Sequence, residues 1–149
     1  MNDCLSCRTV ATIESQPIRE RIWWDGRWRV AHAINCALPG WLVVLPARHV
    51  ESIAELTPEE AAGLGPVLTA VTRALADVTG CAKTYVVAFG EIEAFAHLHF
   101  HVVPRSADLP DDLRGTRVFA YQKRPESEWV TPEERDRIGA ELARRLAVV

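Results

Sequence analysis

Two kinds of apolar pattern divide the chain. Short apolar runs bounded by turn residues predict strands, and two longer stretches repeat their apolar positions at helical spacing. "RIWWDGRWRV" (21–30) predicts a hairpin, with Asp25-Gly26 as its tight turn and a second arm continuing through "VAHAI". "WLVVLP" (41–46) predicts a third strand that stops at Pro46, and "KTYVVAFGEI" (83–92) a fourth. "HLHFHVVPR" (97–105) predicts the fifth.

The first helical stretch covers 56–80, with Leu64, Val67, Leu68, Val71, Leu75 and Val78 at helical spacing. Thr57 is placed to cap it, Pro58 to occupy its first position and Glu60 to close a capping box; Gly80 ends it. Gly63, Gly65 and Pro66 weaken the first turns and predict a kink or a late start. "RSADLPDDLRGTRVF" predicts a surface loop. "TPEERDRIGAELARRLAVV" (131–149) predicts a second helix with Ile138, Leu142 and Leu146 on one face. Apart from the shared Thr-Pro-Glu-Glu start there is no internal repeat. The order β-β-β-α-β-β-α, with short turns between consecutive strands, predicts an antiparallel sheet with helices on one side, an α+β fold.

The histidine run changes the picture from fold to chemistry. Three of the five histidines alternate inside one predicted strand, so His97, His99 and His101 share a face while Leu98, Phe100 and Val102 share the other. Alternate side chains on a strand stand about 7 Å apart. The apolar face reads as core and the histidine face as a site, because a neutral imidazole serves as metal ligand, general base or nucleophile near neutral pH.

Composition narrows the classes. The chain has 149 residues, enough for one domain with a hydrophobic core, and is 48% hydrophobic and 25% charged. A net charge of −3 gives no electrostatic case for nucleic-acid or membrane-surface binding, and no apolar run reaches the ~18 residues of a membrane span. "MNDCLSCRTV" lacks the basic start and apolar stretch of a signal peptide, so a cytoplasmic protein is expected. Four cysteines then suggest free thiols rather than a disulfide framework. Cys36 and Cys81 read as small buried residues. Cys4-x-x-Cys7 suits zinc better than redox chemistry, which would need a preceding strand. Two thiolates leave two positions of a tetrahedral ion open, and His49 and one histidine of the run are the available donors.

At these residues the chain resembles the histidine triad (HIT) superfamily of nucleotide hydrolases and transferases. "HLHFHVV" is similar to its His-φ-His-φ-His-φ-φ signature, where φ is apolar. "GWLVVLPARH" (40–49) resembles its Gly-His-φ-φ-φ-φ-Pro-Lys-x-His block, and the N-terminal C-x-x-C that of zinc-bearing bacterial members. The resemblance covers most of residues 1–105 and fades beyond 110, leaving 106–149 as a loop and C-terminal helix of a single domain spanning 1–149.

The resemblance implies a five-stranded antiparallel sheet with one long central helix, assembled as a homodimer by pairing across strands. It implies His99 as the nucleophile that attacks the α-phosphate and forms a nucleotidyl-histidine, which water then hydrolyses. His101 would contact phosphate oxygens and assist proton transfer. Cys4, Cys7, His49 and His97 would hold a structural zinc. The substrate would be a nucleoside phosphate derivative: an ester, a phosphoramidate or a dinucleoside polyphosphate.

The chain departs from the family in three places. Trp41 stands where the family often has a histidine that assists near the nucleophile. The fourth strand lacks the family's Asn. The Gly-Gln-Ser-Val-like segment before the triad is replaced by "FGEIEAFA", which puts Glu91 or Glu93 near the Gln position. An acidic residue there would repel a polyphosphate tail and favour an amine or other non-phosphate leaving group, with both glutamates as solvated loop charges the alternative. Asn35 is the candidate for a ribose hydroxyl, with a turn role as the alternative. Arg105 is the candidate for a phosphate, with an ion pair to Asp108 or Asp111 as the alternative. His32 can face the pocket or the core. Trp23, Trp24 and Trp28 can stack a base or fill the core.

Two further function classes compete with the nucleotidyl enzyme. A metallohydrolase would use His97, His99 and His101 together as ligands with water as nucleophile. A non-catalytic nucleotide sensor would bind without turnover.

Overall fold

The computed structural model describes residues 3–147. A helix that no sequence pattern announced, α1 (Leu5–Ala11), comes first, and then the hairpin of β1 (Trp23–Trp24) and β2 (Trp28–His32). β3 (Leu42–Pro46), α2 (Pro58–Thr79), β4 (Lys83–Val87), β5 (Phe100–Arg105) and α3 (Pro132–Leu146) follow. The five strands form one antiparallel sheet in the order β1-β2-β3-β5-β4, so β5 inserts between β3 and β4. The stretch between β5 and α3 is a chain of short 3-10 turns, the longest Gly115–Lys123, where an irregular loop was expected.

α2 starts at Pro58 without the late start that its glycines and proline suggested. Thr57 accepts from the Glu60 N–H and Glu60 accepts from the Thr57 N–H, a complete capping box. Gly63 has a packing reason to be there: a Cβ would meet Trp28 at 3.2 Å. Trp28 is fully buried and its indole N–H donates to the Glu60 carbonyl at 3.1 Å, which ties β2 to the first turn of α2. Gly80 closes the helix at φ 68°, a left-handed conformation that glycine adopts without penalty.

α2 and α3 cover one face of the sheet. Val30, Val44, Phe100 and Val102 pack there with Leu75, Ile138 and Leu142. The other face has its own smaller apolar cluster, in which Trp41 and Val103 meet Val118 and Leu109 from the turns beyond β5. That second layer covers one end of the histidine face and leaves the rest open.

Two strands are shorter than the apolar pattern suggested. β4 ends at Val87, and Gly90 at φ 66° has already turned the chain away. β5 begins at Phe100, so His97 and His99 precede the ladder. Other bonds stand in place of the ladder there: the Pro46 carbonyl accepts from the His97 ring at 2.8 Å, and the Leu98 N–H donates to the Val50 carbonyl, beyond β3, at 2.7 Å. The segment is thereby drawn toward the loop that carries His49.

Candidate functional site

The open part of the histidine face is a cleft of about 650 Å³. His99 and His101 lie on its floor beside Val43, Leu45, Ala31 and Arg29. α1 and the 16–20 segment wall one side, and Phe89, Glu91, Ile92 and Phe95 wall another.

Hydrogen bonds fix the protonation pattern of the two rings. His99 is half-buried, and its Nδ1 lies 2.8 Å from the main-chain oxygen of His97. A carbonyl can only accept, so Nδ1 carries the hydrogen and Nε2 keeps its lone pair. His101 is buried, and the indole Nε1–H of Trp41 donates to its Nδ1 at 3.0 Å. An indole can only donate, so the hydrogen of His101 sits on Nε2. The rings stand 4.7 Å apart, centroid to centroid, and nearly perpendicular. One thus offers an electron pair and the other an N–H. Burial first, and the neighbouring His99 second, push the His101 pKa down to about 4, so this ring is neutral near neutral pH.

Phe119, from the longest 3-10 turn, packs edge-on against His101 and Trp41 at 5.0 Å each and against Phe89 at 5.3 Å. It lies in a stretch expected to be a polar surface loop. The apolar "VFAY" within that loop is the one trace of it in the sequence.

The first histidine of the run belongs to a different group. Cys4, Cys7, His49 and His97 gather with one ligand atom each, all within 4.8 Å of one another. Cys4 Sγ lies 3.5 Å and Cys7 Sγ 3.7 Å from His97 Nδ1, and Cys7 Sγ lies 3.4 Å from His49 Nδ1. These spacings match the edges of a zinc tetrahedron, roughly 3.6 Å for bonds of about 2.3 Å to sulfur and about 2.0 Å to nitrogen. His97 donates Nε2–H to Pro46, which leaves Nδ1 aimed at the centre, as a second partner does for a ligating histidine. Cys4 precedes α1 and Cys7 lies on its first turn, so this short helix serves to present both sulfurs. Burial raises the Cys7 thiol, and its hydrogen bond and charge interaction with Cys4 raise it further. Burial also holds His97 toward the neutral form a metal needs. The donor set and spacing fit zinc.

The remaining candidates divide. Asn35 stands in a left-handed turn at φ 52°, the turn role weighed for it, and lines the cleft. Glu91 lines the cleft, whereas Glu93 is exposed on a 3-10 turn and does not. Arg105 ends β5 opposite Lys83, outside the cleft, and Asp111 pairs with Arg114 instead. His32 is fully buried: Nδ1–H donates to Ala33 at 2.9 Å and Nε2 accepts from Gly40 at 2.9 Å, so neither nitrogen is left for a ligand. None of Trp23, Trp24 and Trp28 lines the cleft, and Cys81 is half-exposed where a buried thiol was expected. Arg29, not anticipated from its position in the hairpin, is a buried cation on the cleft floor. Its Nη1 is bonded to the main chain and carboxylate of Glu20 at 2.9 and 3.1 Å.

A HIT domain family profile matches residues 18–108. No curated protein sequence matches the chain. Among solved structures, a hypothetical histidine triad nucleotide-binding protein from Sulfolobus tokodaii aligns with a TM-score of 0.72 at 18% identity, covering 97% of this chain and 93% of that one. A zinc-bound histidine triad family protein from Mycobacterium smegmatis aligns at 0.68 and 24% identity, over 97% and 94%. A histidine triad protein from Sinorhizobium meliloti aligns at 0.68 and 25% identity, over 91% and 93%. Among the described residues no helix is long and apolar enough to cross a membrane.

Proposed function

The chain belongs to the HIT domain family, a family of nucleotide-binding proteins, and from that premise we propose that it is a nucleotidyl hydrolase or transferase acting through His99. The observation that carries the reading is the complementary pair of tautomers in the cleft. The lone pair on His99 Nε2 attacks the α-phosphorus of a nucleoside phosphate derivative, and the bond to the leaving group breaks with its electrons going to that group. The product is a nucleotidyl-imidazolium whose Nδ1–H stays on the His97 carbonyl, so no proton has to leave the nucleophile. The Nε2–H of His101 stabilises charge on the phosphoryl oxygens. Water then attacks phosphorus, the P–N bond returns its electrons to Nε2, and the proton of the water goes to solvent.

Cys4, Cys7, His49 and His97 would hold zinc, in keeping with the zinc-bound Mycobacterium smegmatis relative. When bound there, zinc supplies a structural crosslink between α1, the loop after β3 and the start of the histidine run. A three-histidine hydrolytic metal site is disfavoured, because His101 carries its hydrogen on Nε2 and His97 turns toward the cysteines, which leaves the cleft one free histidine lone pair, on His99 Nε2.

A strand-paired homodimer fits the free edge of the sheet. β4 is an edge strand and Val86 on it is 44% exposed.

The test is turnover of adenosine esters, phosphoramidates and diadenosine polyphosphates by wild type and His99→Ala. Release of AMP by the wild type alone is the expected result. Nucleotide binding without release by either protein would favour a sensor.

A further inference from the structure

Trp41, immediately before β3, and His101, on the neighbouring β5, are buried against each other, with relative exposures of 0% and 7%. The indole N–H is a donor with no acceptor function, and at 3.0 Å it occupies the only lone pair of a neutral His101 that faces away from the cleft. To become an imidazolium, His101 would have to protonate that same Nδ1. Two N–H groups would then oppose each other in a pocket closed by Phe119. Its immediate packing supplies no anion: Trp41, Phe119 and the β4 partner Val87 are uncharged, and the ring in edge contact on the cleft side is His99. The other titratable groups that line the cleft are Arg19, Glu20, Arg29, His32, Glu91 and His97, of which Glu20 is paired with Arg29 and Glu91 is exposed on the cleft wall.

We propose that Trp41 is a positioning residue that locks His101 as a permanently neutral Nε2–H donor, which restricts this chain to nucleotidyl derivatives whose leaving group departs as a stable anion. A neutral imidazole N–H is too weak an acid to protonate a departing alkylamine or alkoxide, whereas a phenolate or carboxylate needs no proton. His101 then holds the phosphoryl oxygens and transfers nothing. The apolar wall of Phe89, Ile92 and Phe95 suits an apolar leaving group of this kind.

The leaving-group restriction rests on the nucleotidyl-transfer reading, whereas the tautomer lock does not, so the experiment has two arms. The first is long-range proton–nitrogen NMR of the metal-loaded wild type. It should show His101 with a bare Nδ1 and a protonated Nε2, unchanged from about pH 8 to about pH 5, while an ordinary histidine titrates near 6.5. An Nδ1–H tautomer, or titration of His101 between about pH 6 and 7, would overturn the proposal. In Trp41→Phe the ring remains but the donor is gone, and His101 should begin to titrate in that window.

The second arm compares adenosine 5′-phosphate aryl esters with alkylamidates. Wild type should favour the aryl ester by about 100-fold or more, the usual worth of a general acid. Trp41→Phe should narrow that gap about tenfold or more and add a pH limb near about 6.5. Equal wild-type rates on both substrates would overturn the restriction. No turnover of either substrate, with the NMR signature intact, would overturn nucleotidyl transfer instead and leave the lock standing.

Discussion

The main-chain oxygen of His97 accepts the Nδ1–H of His99 at 2.8 Å, while the ring of His97 lies 3.5 Å from the sulfur of Cys4. One residue thus belongs to the metal cluster through its side chain and aims the candidate nucleophile through its backbone. That carbonyl links the cluster to the candidate nucleophile.

Metal removal should therefore act on stability and orientation before chemistry. Brief chelation should leave turnover unchanged. Exhaustive chelation, or Cys7→Ala, should lower the Tm by about 10 °C, since a ligand bound at ~1,000 times its Kd contributes about 4 kcal/mol and each kcal/mol moves a domain of this size by ~2–4 °C. Calorimetry alongside metal analysis measures both.

His99→Ala should reduce kcat by about 10⁴-fold or more, the scale of losing a nucleophile, and leave nucleotide affinity and Tm nearly unchanged. The ring is half-buried, and it bonds a carbonyl that water can reach once the ring is gone. Isothermal titration with AMP and a thermal melt separate the two effects.

Stability should fall in mild acid, and His32 is one named cause. Burial lowers its folded pKa to about 4 from 6.5. Between those values the unfolded chain binds more protons than the folded one, so stability is full above about 6.5 and is lost as pH falls toward about 4. The full loss is on the order of 3–4 kcal/mol for this ring, at about 1.4 kcal/mol per pKa unit. His101 acts in the same direction. His32→Gln keeps a donor for Ala33 and an acceptor for Gly40, so urea melts at about pH 7 and about pH 5 should show a smaller difference than in wild type.

Glu60 joins α2 to the segment just beyond β3: it closes the capping box of the helix and takes Arg48 through both oxygens at 3.1 and 2.8 Å. Arg48 first, and the capping bonds with it, hold its pKa down to about 2. Its contribution is present above the ordinary carboxylate pKa and is lost as pH falls toward about 2. Glu60→Gln should cost about 1–2 kcal/mol at neutral pH in urea melts.

Features set by neighbours in sequence were legible. Thr57, Glu60 and Gly80 bound α2 as their types require, and Asp25-Gly26 turns the hairpin. The alternation of the triad put His99 and His101 on the face that forms the cleft, and the resemblance set His97 apart, with Cys4, Cys7 and His49. What no local pattern carries is a bond between distant positions. The His97 ring on Pro46 moves the start of β5, and the Trp41 indole on His101 sets a tautomer across 60 residues of chain. α1 has seven residues and no side-chain cap, and a helix that short has no strong signal of its own. Phe119 reaches His101 only because the turns after β5 fold back over the sheet.

The most direct test of the central claim is rapid acid-free quenching of wild type during turnover of an adenosine 5′-phosphate aryl ester, followed by peptide mass spectrometry. The account predicts an adenylyl group on His99, present at early times and absent from His99→Ala. Turnover without any adduct, or with the adduct on another residue, would contradict it.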